Sequence, residues 1–137
     1  MRNRVREILQ TIERGAPMTT IVIADDHSDI RRLLVLTLGK EFTIIEADDG
    51  ISALEAIRLH RPKAVLLDVM MPGEMDGLQV LDAVKADPDT RDTLVAMVTA
   101  RGQVADSDDA RQRGADAYFI KPFSPRQVVG WLLSHLK

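Results

Sequence analysis

The chain has 137 residues, a formal net charge of −3, 45% apolar and 28% charged residues. That length suits one domain with a real core and leaves no room for a second of ordinary size. The absence of cysteine excludes a disulfide framework, thiolate catalysis and thiolate zinc sites. The acidic balance argues against direct nucleic-acid binding, and no apolar run is long enough to span a bilayer.

The first seventeen residues, "MRNRVREILQTIERGAP", place Val5, Ile8, Leu9 and Ile12 on one face of a helix that Gly15 and Pro17 would end. They lack the apolar core and cleavage site of a secretion signal, so the expected location is cytoplasmic. This stretch reads as an extension (1–17) ahead of one domain (18–137). It is a packed helix, a frayed tail or an extra contact with a partner, and Met18 is an alternative start.

From residue 19 short β-branched runs alternate with amphipathic segments. "TTIVIA" predicts a strand, "DIRRLLVLTLGK" a helix with Ile30, Leu33, Leu34 and Leu38 on its inner face, and "FTIIEA" a second strand. "GISALEAIRLH" follows as helix, "KAVLLDV" as strand, "GLQVLDAVKA" as helix and "TLVAMVTA" as strand. "VADSDDARQRG" is a helix with few apolar anchors, expected to be the loosest. "AYFIKP" is the last strand and "SPRQVVGWLLSHL" the last helix, with Ser124 as cap, Pro125 at its first position and Gly114 closing the helix before. Five such units predict an α/β doubly wound parallel sheet with helices on both faces.

Ligands of such sheets bind beyond the carboxyl ends of the strands. Sorted by that rule, Asp25 and Asp26, Asp68, Thr99 and Lys121 meet on one edge. Taken singly, an acid of the first pair is as well read as a helix cap, Thr99 as a turn residue and Lys121 as a solvated charge. Together they form a set: clustered acids call for a divalent cation such as Mg2+ (or Mn2+), and a carboxylate can act as a nucleophile toward phosphorus. Thr99 and Lys121 are then a hydroxyl and a cation for the transferred oxygens.

The ordered motifs "IADD", "LLDVMMPGEMDG", "VTA" and "AYFIKPF" resemble the receiver domain of two-component response regulators over residues 19–137. The resemblance implies a flavodoxin-like five-stranded sheet in the order 2-1-3-4-5. It implies Asp68 as phosphoacceptor, Asp26 as a direct metal ligand, Asp25 as a ligand through water, and the Met70 backbone carbonyl as a further oxygen. It also implies Thr99 as the hydroxyl that meets the phosphoryl group, Lys121 as its counter-ion, Tyr118 as the aromatic that follows phosphorylation, and a cis bond between Lys121 and Pro122. Ala100 is small where a phosphodonor must approach, and Tyr118 without the family reads as an ordinary half-buried aromatic.

The resemblance further implies a stand-alone receiver that takes phosphate from a histidine kinase or histidine phosphotransfer protein. Its output face would be the fourth helix, fifth strand and last helix, about residues 104–137, acting on a separate protein or a second copy. The chain departs from the family in "MPGEMDG", where Glu74 is an extra loop residue, and Met70 and Arg101 flank the path to the acceptor. His27, His60 and His135 show no metal-ligand spacing, and His27 reads as a bystander beside the acids. The competing enzyme reading, an aspartate-nucleophile phosphatase, needs a second acid two residues after the nucleophile, where this chain has Met70. No GxGxxG or GxxxxGK[ST] follows the first strand, which disfavours a nucleotide-binding module.

Overall fold

The structure, a computed structural model, describes residues 19–100 and 104–136. The amphipathic stretch at 5–12, the alternative start Met18 and Arg101 lie outside the described residues, as do the side chains of Ala100 and residues 104–107. The elements run β1 (Thr20–Ala24), α1 (Ser28–Leu38), β2 (Thr43–Ala47), α2 (Gly50–His60), β3 (Ala64–Asp68), α3 (Gly77–Ala86), β4 (Leu94–Ala100), α4 (Val104–Gln112), β5 (Ala117–Lys121) and α5 (Pro125–Leu136). Strand order is β2-β1-β3-β4-β5, all pairs parallel, which is the doubly wound, flavodoxin-like sheet.

Alternation along the strands separates the two layers. Val22, Ala24, Val65, Leu67, Val95 and Met97 face α2 and α3, together with Ala110 of α4. Ile21, Ile23, Ala64, Leu66 and Ala96 face α1 and α5 through Leu34, Leu38, Val128 and Leu132. The strands are apolar on both sides because both sides are covered, and each fully buried aliphatic side chain contributes about 1.5–3 kcal/mol. The α1 face is narrower than its sequence pattern predicts: Leu34 and Leu38 are buried and Ile30 packs beside them, but Leu33 is 45% exposed. In α4, Ala110 is the buried anchor, and Arg113 ties the end of the helix to Asp109 at 2.9 Å and to Asp82 of α3 at 2.7 Å.

The helix ends follow their chemistry. Ser124 Oγ accepts from the Arg126 N–H at the start of α5, and Gly114 takes φ +104° after α4. Asp49 caps α2 by accepting from the Ser52 N–H, and Asp76 forms a reciprocal capping box with Gln79 at α3. At the start of β5, Lys85 Nζ donates to the Arg91 and Thr93 carbonyls and to Asp116, whose carboxylate also accepts from the Val95 N–H. That knot fixes the strand whose far end carries Lys121.

Gly77 opens α3 directly against β3. Its N–H donates to the Val69 carbonyl at 2.9 Å, and a Cβ there would lie 2.0 Å from the Asp68 carbonyl oxygen. Gly130, exposed on α5, has nothing within 4 Å of an added Cβ. Gly77→Ala is therefore expected to destabilise by about 1–3 kcal/mol through overpacking. Gly130→Ala is expected to stabilise by about 0.5–1 kcal/mol through helix propensity. Urea midpoints of the two variants check both signs.

Candidate functional site

The order of the sheet reverses between β1 and β3, and the loops leaving these two strands carry the acids. Asp25 and Asp68 are 3% and 4% exposed, so two carboxylates are buried side by side at the strand ends. Lys121, at the end of β5, reaches back across β4 to place Nζ 2.9 Å from Asp25 Oδ2 and 3.1 Å from Asp68 Oδ2. The Lys121–Pro122 peptide bond is cis. Thr99, near the end of β4, is 1% exposed, and Tyr118 is half-buried against the α2/α3 side of the core.

Backbone groups hold the acids in place. Asp25 Oδ1 accepts from the His27 N–H at 2.8 Å, and Asp68 Oδ1 from the Met70 N–H at 3.2 Å. Neither Asp25 nor Asp26 occupies the N-cap of α1: His27 stands there, and its side chain makes no cap hydrogen bond. From α1, Arg31 Nη1 donates to the Asp25 main-chain carbonyl at 2.7 Å while Nε pairs with Glu46 of β2 at 3.1 Å. Arg31 is thus a positioning contact that its place in a helix pattern did not signal.

The electrostatics follow from this crowding. Burial, then the neighbouring Asp25 charge, push the Asp68 carboxyl up to about 6 from 3.8, against the pull of Lys121. Lys121 is held above its ordinary value: burial opposes its charge, but the bond to Asp25 and the charges of Asp68 and Asp25 outweigh it. One ammonium faces two buried acids with Asp26 beside them, so the pocket has a surplus of negative charge.

The donor set suits a hard divalent cation. Ligand atoms of Asp25, Asp26, His27 and Asp68 lie within 4.8 Å of one another, and oxygen-rich clusters of that size are what Mg2+ takes. Bound there, the ion would neutralise the surplus that Lys121 leaves. The structure brings together Asp25, Asp26, Asp68 and Lys121 as the sequence predicts, with Thr99 one position beyond Val98, the β4 residue paired with Asp68. It also draws in His27, read from the sequence as a bystander: Nδ1 lies 3.0 Å from Asp25 and 3.2 Å from Asp26. Its side chain flanks the acids at the mouth of the pocket, a position that adjacency in sequence alone could not specify. Met70 is 57% exposed and Glu74 is exposed on the loop beyond it, where Gly73 turns with φ +95°.

Residues 21–132 match the family model described as the response regulator receiver domain. The chain belongs to that family. It is 42% identical over 110 residues to the transcriptional regulatory protein SrrA of Staphylococcus aureus, a match covering 80% of this chain and 44% of the relative. This chain therefore spans less than two thirds of the length of the curated relatives it matches. Among solved structures, the receiver domain of NtrX from Brucella abortus superimposes with TM-score 0.77 at 32% identity, covering 85% of this chain and 97% of that one. The chemotaxis response regulator CheY4 of Vibrio cholerae gives 0.78 at 26% identity, covering 85% and 98%. This receiver domain is a signalling module of two-component systems, and among its described residues no helix is long and apolar enough to cross a membrane.

The raised Asp68 carboxyl has a stability consequence. Folded Asp68 keeps a proton that the unfolded chain releases between pH 3.8 and about 6. Stability is therefore lost as the pH rises through that window; the cost is absent below it and complete above it. With chelator present, Asp68→Asn should stabilise the protein by about 1–2 kcal/mol at pH 7.5, a gain that vanishes near pH 4. Urea denaturation at the two pH values checks it.

Proposed function

We propose that this receiver accepts a phosphoryl group on Asp68 from a histidine kinase or histidine phosphotransfer protein in a Mg2+-dependent reaction, and that the aspartyl phosphate switches a protein-binding face. The observation that carries this reading is the buried Asp68 carboxylate at the end of β3, bonded to Lys121 and crowded by Asp25. Asp26, Asp68 and the Met70 carbonyl would hold the ion directly, and Asp25 would act through water. Mg2+ (or Mn2+), when bound there, supplies the charge that screens attacking carboxylate from incoming phosphate.

A carboxylate oxygen of Asp68 forms the new P–O bond as the P–N bond of the donor phosphohistidine breaks. The electron pair stays on the donor's imidazole nitrogen, which takes up a proton. Lys121, already within 3.1 Å of Asp68, pairs with the phosphoryl oxygens, and the buried Thr99 hydroxyl donates to one of them. Movement of Thr99 toward the phosphate makes room for Tyr118 to turn inward, and α4, β5 and α5 change as the output face. That face acts on a separate output protein or on a second copy of the chain, in the cytoplasm, without direct contact to nucleic acid.

The phosphatase reading lacks its second acid. Residue 70 is a methionine whose N–H holds the acceptor carboxylate, so the acyl phosphate is kept as a signal and not turned over rapidly.

Incubation with Mg2+ and acetyl phosphate should add one phosphoryl group by intact mass, absent in Asp68→Asn and with excess chelator. An unchanged gain in Asp68→Asn would overturn the assignment. Mg2+ at 100 times its dissociation constant should also stabilise the wild type by about 2.7 kcal/mol in thermal unfolding, an effect lost in Asp26→Asn.

A further inference from the structure

Gly50, the first residue of α2, is buried against the loop that follows Asp68. A Cβ built there would lie 2.0 Å from the Met75 carbonyl oxygen, 2.8 Å from the Met75 carbonyl carbon and 3.1 Å from the Met75 Cβ. Gly77, two residues after Met75, repeats the arrangement, with its Cβ position 2.0 Å from the Asp68 carbonyl oxygen and 2.8 Å from the Val69 Cα. The turn Met75–Gly77 thus touches α2 with one end and the backbone of β3 with the other. The closest atoms in both contacts are main chain, so no flexible side-chain tip can swing aside to absorb a push.

The α2 side of this chain of contacts is firm. Asp49 Oδ1 accepts from the Ser52 N–H and from the Ser52 hydroxyl, each at 2.8 Å, and Ala53, Leu54 and Ile57 are buried in the core. The turn itself has little slack. Met75 packs on the same core, Asp76 and Gln79 close their capping box, and the Gly77 N–H donates to the Val69 carbonyl. A methyl group at position 50 would have to open its 2.0 Å approach to Met75 by at least about 1 Å. That movement would pass through Gly77 to the main chain of Asp68 and Val69.

We propose that Gly50 is a positioning residue for Asp68: by lacking a side chain it lets α2 seat the Met75–Gly77 turn, and that turn sets where the Asp68 carboxylate stands. The inference rests on the proposed phosphoacceptor role of Asp68 and adds α2, which carries none of the acids, to the parts that fix it. Misplacement of a reacting group by about 1 Å can cost about 100-fold in rate.

The test times phosphorylation of the full chain by acetyl phosphate at saturating Mg2+, read by intact mass. In parallel, NMR records the Val69 and Met70 amide resonances with chelator present. Gly50→Ala, folded by circular dichroism, should phosphorylate about 100-fold more slowly, and both amide resonances should shift. Phe42→Leu alters the core beside the start of β2, at the end of the sheet away from the acids. It should keep the wild-type rate and resonances although it too lowers the urea midpoint. If Gly50→Ala alone does not fold, the same comparison is made in the Gly130→Ala background with trimethylamine N-oxide. A wild-type rate in folded Gly50→Ala would overturn the proposal. So would an equal slowing in Phe42→Leu, which would mark a general effect of stability. A wild-type chain that gains no phosphoryl group would remove the phosphoacceptor reading, and the amide resonances then decide alone: shifted, they support the positioning by Gly50, and unshifted, they overturn it.

Discussion

Two carboxylates buried side by side at the ends of neighbouring parallel strands set the terms for the rest of the molecule. Asp25 and Asp68 are held there by main-chain N–H groups and by the sheet itself, so neither can retreat from the other. Lys121 is the nearest answer to their repulsion, and it spans β4 to give it. One ammonium does not balance the set, and burial magnifies what is left over. The charged form of Asp68 is thus disfavoured by burial and by the neighbouring Asp25 charge, with Lys121 as a partial counterweight.

The frame that enforces this geometry is rigid for ordinary reasons. Strands apolar on both faces are clamped between two helical layers, and the alternation that sends Leu67 to one layer and Leu66 to the other fixes the direction of Asp68. Gly77 lets α3 begin against the backbone of β3, and the Lys85–Asp116 knot sets the start of the strand that ends in Lys121. Arg31 adds a clasp from α1 to the Asp25 carbonyl. The site is therefore a property of element ends and not of a pliable loop.

Much of this was legible in the sequence because the signals were local. β-Branched runs, helix-length spacers and the Ser124 and Gly114 punctuation specify elements within a residue or two of those observed. The rule that ligands gather at the carboxyl edge then sorts Asp25, Asp26, Asp68, Thr99 and Lys121 into one place. Leu33 misled because a helix pattern shows which residues share a face but not how wide a stripe the sheet covers. Arg31 was illegible for a related reason, since its partner Glu46 comes from β2 fifteen residues away, and the adjacency of His27 to Asp25 and Asp26 did not say which way its ring would turn. Arg61 closes α2 with φ 45°, where a glycine would have announced the turn.

The loop after Asp68 is pinned at both ends and exposed in the middle. Met71 is buried and Met75 packs on the core, while Gly73 and Glu74 stand out between them, and the Gly77 bond to Val69 shuts the loop behind. Its tip can lengthen without disturbing the carboxylate beneath it. A tip exposed in this way can change in length and charge while the acids beneath it keep their places, and Glu74 puts a negative charge there.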